Sequence, residues 1–230
     1  MSDFFPDMNP TQSEAITQWV HQTFEPIDPD LQWILDETRA HGFPEIQLRP
    51  MDGRFLEILT RMVHAKTVLE IGTLTGYSGV CLLRGMDRQG TLYAIEKNPE
   101  HAQLARKHFN QLGYESQVKL IIQPALEALH SWQDPPLFDL VFIDADKHGY
   151  PEYWRWCADR IRPGGLLVAD NTLAFGQLAN TEFHSKKEEA LVHGLQEFNR
   201  CVAGSNHYRS VLVPTSSGFT VALKLPTKAD

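Results

Sequence analysis

From residue 67 onward the chain keeps one rhythm, and that rhythm limits the folds open to it. "TVLEIG" (67–72), "TLYAIE" (91–96), "VKLIIQ" (118–123), "FDLVFID" (138–144) and "GGLLVADN" (164–171) are short apolar runs of strand type. Each is followed by a segment with helical spacing: one through Arg84, then "NPEHAQLARKHFNQLG", "ALEALHSW", "YPEYWRWCADRI" and "KKEEALVHGLQEFNRCVA". Strands alternating with helices predict a mostly parallel sheet covered on both faces. The closing "YRSVLVPTSSGFTVALKL" holds two strands joined by a turn at Ser216–Gly218, too close for a crossover helix, so they pair antiparallel. The fold class is therefore α/β, a seven-stranded sheet with an antiparallel C-terminal strand.

Upstream, residues 12–24 and 29–41 place apolar residues at helical spacing, with Pro26 and Pro29 between them. "MDGRFLEILTRMVHA" resumes a helical pattern to about His64. The expected organisation is one domain over 1–230, a helical extension at 1–45 and a core at 46–230. With 230 residues, 42% hydrophobic content and a net charge of -8, the chain suits neither nucleic acid nor anionic lipid as a partner held by bulk charge. Cys81, Cys157 and Cys201 are odd in number and far apart, which points to small core or subsurface residues rather than disulfides or a zinc site. "MSDFFPDMNPTQSEA" lacks a signal-peptide layout and no run reaches membrane-spanning length, so the expected location is cytoplasmic.

In parallel α/β sheets ligands bind beyond the carboxyl ends of the strands. Gly72–Ser78, Glu96, Ala125, Asp144–Lys147 and Asp170–Asn171 all lie there. "VLEIGTLTGYSG" spaces Gly72, Gly76 and Gly79 as G-x-x-x-G-x-x-G, which is not the dinucleotide fingerprint, and it lacks the Lys-Ser/Thr of a P-loop. Glu70 would repel a pyrophosphate at that loop and suits an amino-bearing ligand. Glu96 can accept hydrogen bonds from both hydroxyls of a ribose. Together they ask for adenosine with an amino-acid tail, and S-adenosylmethionine fits. Ser78 can hold the methionine carboxylate at the helix N-terminus. The plainer readings are a tight turn, a strand-ending acid and a helix-capping serine.

The "DADK" after the fourth strand can be a surface ion pair. The fifth strand, however, ends in Asp170 and Asn171, and two adjacent parallel strands can bring Asp144, Asp170 and Asn171 to one point. Two carboxylates and an amide select a hard cation, Mg²⁺ first, with Mn²⁺ or Ca²⁺ possible. Lys147 is then placed to take a proton from an acceptor hydroxyl whose acidity the cation has raised.

With these residues the chain resembles the cation-dependent small-molecule O-methyltransferases, the group that holds catechol O-methyltransferase and caffeoyl-CoA O-methyltransferase, and looks most like their bacterial members. "VLEIGTLTGYSG", "LYAIEKNPE", "FDLVFIDADKHGYPEYW" and "GGLLVADNTLAFG" carry the likeness from about residue 46 to the C-terminus. The resemblance implies a Rossmann-like S-adenosylmethionine-methyltransferase fold, with Asp144, Asp170 and Asn171 as metal ligands and Lys147 as catalytic base. Asp144 would act in catalysis and beside the cofactor as well. Glu70, the Gly72–Thr73 backbone and Ser78 would meet the methionine part, and Glu96 the ribose. Ala125, Asp146 and the Leu48 backbone would be further cofactor contacts. It implies a small phenolic acceptor with vicinal hydroxyls, and a homodimer with the N-terminal helices at the interface. Pro124, ahead of Ala125, departs from the family pattern, and residues 1–45 do not align with the CoA-recognition segment of the plant enzymes. Phe175, Trp154 and Tyr150 are candidates to stack on the acceptor ring or, equally, core or lid residues.

Among rival readings, an NAD-dependent oxidoreductase leaves Asp144, Lys147, Asp170 and Asn171 without a role. A methyltransferase fold serving as a non-catalytic binding protein sits poorly with a complete acid–lysine set. A nucleic-acid methyltransferase lacks its N/D-P-P-Y-type motif. "GYSG" is not a hydrolase elbow and no H-E-x-x-H occurs, so the ten histidines are expected at the surface or at helix caps.

Overall fold

The computed structural model describes residues 14–24, 28–215 and 217–226; the expected leader-free N-terminus, the start of the first helix and Ser216 in the last turn lie outside them. Helices α1 (Glu14–Phe24), α2 (Pro29–Ala40) and α3 (Pro50–Met62) come first. Pro29 and Pro50 each open a helix, where a missing N–H costs no hydrogen bond. Asp28 caps α2 by accepting from the Leu31 amide at 3.1 Å. Then follow β1 (Thr67–Ile71), α4 (Tyr77–Gly85), β2 (Thr91–Glu96), α5 (Pro99–Gln111), β3 (Val118–Ile122), α6 (Ala125–Ser131), β4 (Phe138–Ile143) and α7 (Tyr150–Cys157). The last elements are β5 (Ile161–Ala169), α8 (Lys186–Ala203), β6 (Tyr208–Val213) and β7 (Phe219–Lys224).

The strands form one seven-stranded sheet in the order β3-β2-β1-β4-β5-β7-β6. Pairs β3–β2–β1–β4–β5 are parallel, and β7 runs antiparallel between β5 and β6. The order reverses at β1, which pairs with β2 on one side and β4 on the other, the place where such sheets open a crevice. Strand β4 shows why both faces must be covered. Leu140 and Phe142 point into a core built with α2 to α5, while Val141 and Ile143 point into a second core built with α7 and α8. Leu31 and Ile34 of α2 belong to the first core, so the second helix of the N-terminal extension packs as part of the fold. Cys81 and Cys157 are buried and Cys201 half-buried, as small subsurface residues. Among the described residues no helix is long and apolar enough to cross a membrane.

One boundary differs from the sequence reading. The helix expected to run through "YPEYWRWCADRI" stops at Cys157, and the strand expected at 164 begins at Ile161. The Phe138 amide bonds the Arg160 carbonyl at 2.8 Å, and Ile161 pairs with Phe138. A register shift between Phe138 and Leu140 accommodates Pro163 and the glycines, with Gly164 at φ +78°.

Candidate active site

Strands β4 and β5 each stop one residue before an aspartate, and that aspartate's own amide extends the ladder. Asp144 donates its backbone N–H to the Ile71 carbonyl (2.9 Å), and Asp170 donates to Ile143 (3.0 Å). Gly72 and Thr73 both donate to Ile95 (3.0 and 3.1 Å). Neighbouring strand ends thus fix one another, and the side chains project past the sheet. Gly72 has φ +94°, and a Cβ there would lie 2.1 Å from the Asp144 carbonyl oxygen. Only glycine allows this close approach of the first loop to the fourth strand.

Above these ends lies a cavity of about 620 Å³, within the range of small-molecule sites. Leu48, Gly72, Thr73, Ser78, Glu96, Ala125, Asp144, Asp146, Lys147, Asp170 and Asn171 all line it. The exception among the singled-out residues is Glu70, which lies behind the wall. On β1 it alternates with Leu69 and Ile71, so it faces α4, and its Oε1 accepts a 2.5 Å bond from the Ser78 hydroxyl. Ser78 is therefore tied to a carboxylate rather than capping its helix, whose N-cap is Gly76. Glu70 Oε2 and Thr73 Oγ1 are buried with no hydrogen-bond partner among the described residues. Burial pushes the Glu70 carboxyl up to about 7, opposed by Ser78 and by Thr73, which stands close without hydrogen-bonding geometry. A buried acid with an orphan oxygen beside a cavity suits a cationic amine.

Glu96 ends β2 and is spread over the loop. Its Oε2 accepts from Leu74 N (2.9 Å) and its Oε1 from Asn98 N (2.8 Å). His101 Nδ1 stands 3.8 Å from Oε1 and also lines the cavity.

At the other end Lys147 Nζ donates to Asp144 Oδ1 at 2.6 Å and to the Tyr150 hydroxyl at 2.9 Å. Tyr150, fully buried, shares its hydroxyl proton between the carbonyls of Asp170 (2.9 Å) and Ile143 (3.1 Å). Sequence reasoning offered Tyr150 and Trp154 as stacking candidates; both are core residues, and Trp154 packs edge-on against Tyr208. Phe175 lines the cavity and is 62% exposed. Asp170 Oδ1 accepts from the Asn171 amide (2.6 Å) and the Ser217 hydroxyl (2.5 Å), while Oδ2 carries neither bond. Burial and the nearby Asp144 charge hold the Asp170 carboxyl up to about 7. Asp146 is occupied on the outer side: Oδ1 accepts from Tyr153 (2.6 Å) and Oδ2 faces His148 Nε2 at 3.2 Å.

Among the described residues no cluster of three or more His, Cys, Asp or Glu side chains could hold a metal. The set on the cavity wall is instead two carboxylates and one amide, Asp144, Asp170 and Asn171. Its all-oxygen chemistry and its crowded negative charge fit a hard divalent cation.

The sequence-based placing of the histidines fails at His108, which is fully buried on α5. Its Nδ1–H donates to the Thr75 carbonyl at 2.7 Å, and Trp33 meets the ring edge-on at 4.8 Å. Burial lowers its pKa.

A family model described as O-methyltransferase matches residues 27–225, and the chain belongs to that family. It is 33% identical over 201 residues to a catechol O-methyltransferase of Niastella koreensis, covering 86% of this chain and 89% of that one. To a catechol O-methyltransferase of Mycobacterium tuberculosis it is 36% identical over 168 residues, 73% of this chain and 74% of the other. The solved structure of an O-methyltransferase from Bacillus cereus in complex with S-adenosylhomocysteine superposes with a TM-score of 0.84 at 29% identity, covering 91% of this chain and 97% of that chain.

Proposed function

We propose that the protein transfers a methyl group from S-adenosylmethionine to one hydroxyl of a catechol-like small molecule, with Lys147 as base and a divalent cation, Mg²⁺ first and Mn²⁺ or Ca²⁺ as substitutes, at Asp144, Asp170 and Asn171. The observation that carries this reading is the pinning of Lys147 Nζ between Asp144 and Tyr150 on the wall that also bears Asp170 and Asn171. The catechol O-methyltransferase relatives and the S-adenosylhomocysteine complex of the Bacillus cereus enzyme support it.

When bound, the cofactor supplies a methyl on a sulfonium centre, and the cation supplies charge that orients and acidifies the acceptor hydroxyl. The chain's residues do the rest. Glu70, from behind the wall, would meet the amino end of the methionine part through its Oε2, and Ser78, whose hydroxyl proton goes to Glu70, would meet the carboxylate end through its backbone N–H, alongside the Gly72–Thr73 and Leu48 backbones. Glu96 accepts from the ribose hydroxyls while it holds Leu74. Ala125 and Asp146 flank the cofactor, and Phe175 offers a ring to the acceptor. Lys147 Nζ, oriented by Tyr150, would take the proton of the acceptor hydroxyl that is to be methylated. Positioning supplies most of the rate, since the leaving group is already activated.

The test is S-adenosylhomocysteine release with catechols and their monohydroxy analogues, in Mg²⁺, in EDTA, and with Mg²⁺ restored. Turnover of catechols alone, lost in EDTA and rescued by Mg²⁺, is the expected result. Activity indifferent to EDTA overturns the cation site, and turnover of monohydroxy phenols overturns chelation of the acceptor. The same reading makes the protein a cytoplasmic homodimer. Trp19 and Phe24, exposed on α1 and in edge contact with each other, support the N-terminal helices as its interface. A monomer by sedimentation equilibrium removes that assignment.

A further inference from the structure

The loop from Gly72 to Gly76 carries much of the proposed cofactor site, and its backbone is unfavourable left to itself. Gly72 and Gly76 have φ +94°, and between them Leu74, a residue with a side chain, has φ +49°. A left-handed non-glycine residue persists only where its surroundings hold it. Four of the ties are evident: Gly72 and Thr73 to Ile95, Leu74 to Glu96, and the Gly76 amide to Thr73 (2.8 Å). Thr75 is tied differently, and neither tie comes from a strand.

Thr75 Oγ1 lies 2.7 Å from Thr38 Oγ1, and Thr38 donates its hydroxyl proton to the Ile34 carbonyl at 2.7 Å. A hydroxyl has one proton, so the direction is fixed: Thr75 donates to Thr38. The Thr75 carbonyl is held by His108 Nδ1–H. Thr38 and Thr75 are each 1% exposed, so water does not replace either bond. Helix α2 is itself strapped across the core. Asp28, at its start, accepts from Arg84 of α4 at 2.5 Å, and Glu37, near its end, pairs with Lys107 of α5. Trp33 packs on His108 between them.

We infer that Thr38 on α2 and His108 on α5 are positioning residues for the cofactor loop, holding Thr75 by its side chain and its carbonyl so that α2 and α5 together set the loop's geometry. None of the three polar groups is a catalytic residue: they act through the loop. The inference rests on the cofactor reading above only where affinity is concerned, because the loop's anchoring can be measured without a ligand.

The variants are Thr38→Val, nearly isosteric but unable to accept, Thr38→Ser, which keeps the hydroxyl, and the double variant Thr38→Val/Thr75→Val. The first measurement is hydrogen exchange at the Leu74–Gly76 amides in the full chain without cofactor. Faster exchange there in Thr38→Val, with amides in β4 unchanged and wild-type rates in Thr38→Ser, is expected. The second is S-adenosylhomocysteine affinity by calorimetry together with steady-state kinetics. About tenfold weaker binding and a raised KM for S-adenosylmethionine are expected in Thr38→Val, with kcat unchanged at saturation, on the scale of one lost buried hydrogen bond. Thr38→Ser should bind within about twofold of wild type, and the double variant no worse than Thr38→Val, because coupled residues do not add. A Thr38→Val protein with a lowered Tm but unaltered loop exchange overturns the inference and leaves Thr38 as packing. Wild type that fails to bind S-adenosylhomocysteine refutes the cofactor reading, while the exchange comparison still decides the loop.

Discussion

At the scale of single residues, the least expected chemistry sits at Glu70. Its carboxyl is held up to about 7 by burial, against a usual value of 4.5. Between those values the folded chain keeps a proton that the unfolded chain has released, so stability falls as pH rises through about 4.5 to 7 and is level above. The full contribution is about 3 kcal/mol. Asp170, also held up to about 7, adds a slope of the same sign, so Glu70→Gln should reduce the slope without abolishing it, seen as urea unfolding curves that separate less between pH 5 and 7.5 than those of wild type; a slope of wild-type size in the variant places the titration elsewhere. A cationic amine beside Oε2 would favour the ionised form, so cofactor binding at pH 6 should release a proton in wild type and not in Glu70→Gln. Calorimetry in buffers of different ionisation enthalpy reads this directly. Tyr150 is the second residue whose role only the fold reveals. From the sequence Tyr150 can stack on the acceptor or sit in the core or lid; it is a core residue, and its hydroxyl orients Lys147 and donates to two carbonyls at the strand ends. Tyr150→Phe should lower kcat about tenfold and stability by about 1 kcal/mol while sparing cofactor affinity; an unchanged kcat makes the tyrosine structural. His108 could have been found. On α5 it shares a face with Ala102, Leu104, Ala105 and Phe109, all buried, and a polar ring at such a position must have a partner.

At the scale of elements, the strands were legible because their apolar runs are continuous, as they must be when both faces are covered. Their ends were legible because the runs break into Gly, Glu and Asp. The α7–β5 boundary was not, since "WCADRIRPGG" keeps its apolar spacing past the helix and only pairing with Phe138 decides it. Packing of α4 depends on another feature that periodicity hides. Gly79 lies inside α4, where glycine is costly, because a Cβ would meet Phe109 Cζ at 2.7 Å and Glu70 Oε2 at 3.0 Å. Phe109 also abuts Gly76, so displacing its ring presses on the loop. Gly79→Ala gains helix propensity but overpacks a buried ring, and the net loss should be about 1–3 kcal/mol by chemical denaturation. A stabilised variant would mean that Phe109 yields freely and that the tight fit under α4 is not what the glycine serves.

At the scale of the whole molecule, the adjacency of Asp144 and Asp170 followed from parallel strands in sequence order, and the sheet places β4 and β5 side by side as that requires. The part played by the chain's last hairpin did not follow, because the pattern of two closing strands does not say which of them meets β5. It is β7, and its insertion delivers the preceding turn to the site. Thr172 and Leu173 donate to the carbonyls of Gly218 and Ser217 at 3.0 and 3.1 Å, and Ser217 donates to Asp170 Oδ1. The candidate cation site is thus closed by segments 26 to 73 residues apart in the chain (144 to 170, 144 to 217), and it exists only in the folded state. A ligand that binds the folded chain alone stabilises it, by about 2.7 kcal/mol at a hundredfold excess over Kd. Mg²⁺ without cofactor or acceptor should therefore raise the Tm in a concentration-dependent way, and EDTA should reverse the rise. Asp170→Asn keeps the shape and acceptor oxygen but removes one charge, so it should abolish most of the shift. Ser217→Ala, which frees Asp170 Oδ1 from one bond without touching the cavity's charge, should leave the shift largely in place. If Asp170→Asn responds to Mg²⁺ as wild type does, the cation binds somewhere other than the ends of β4 and β5.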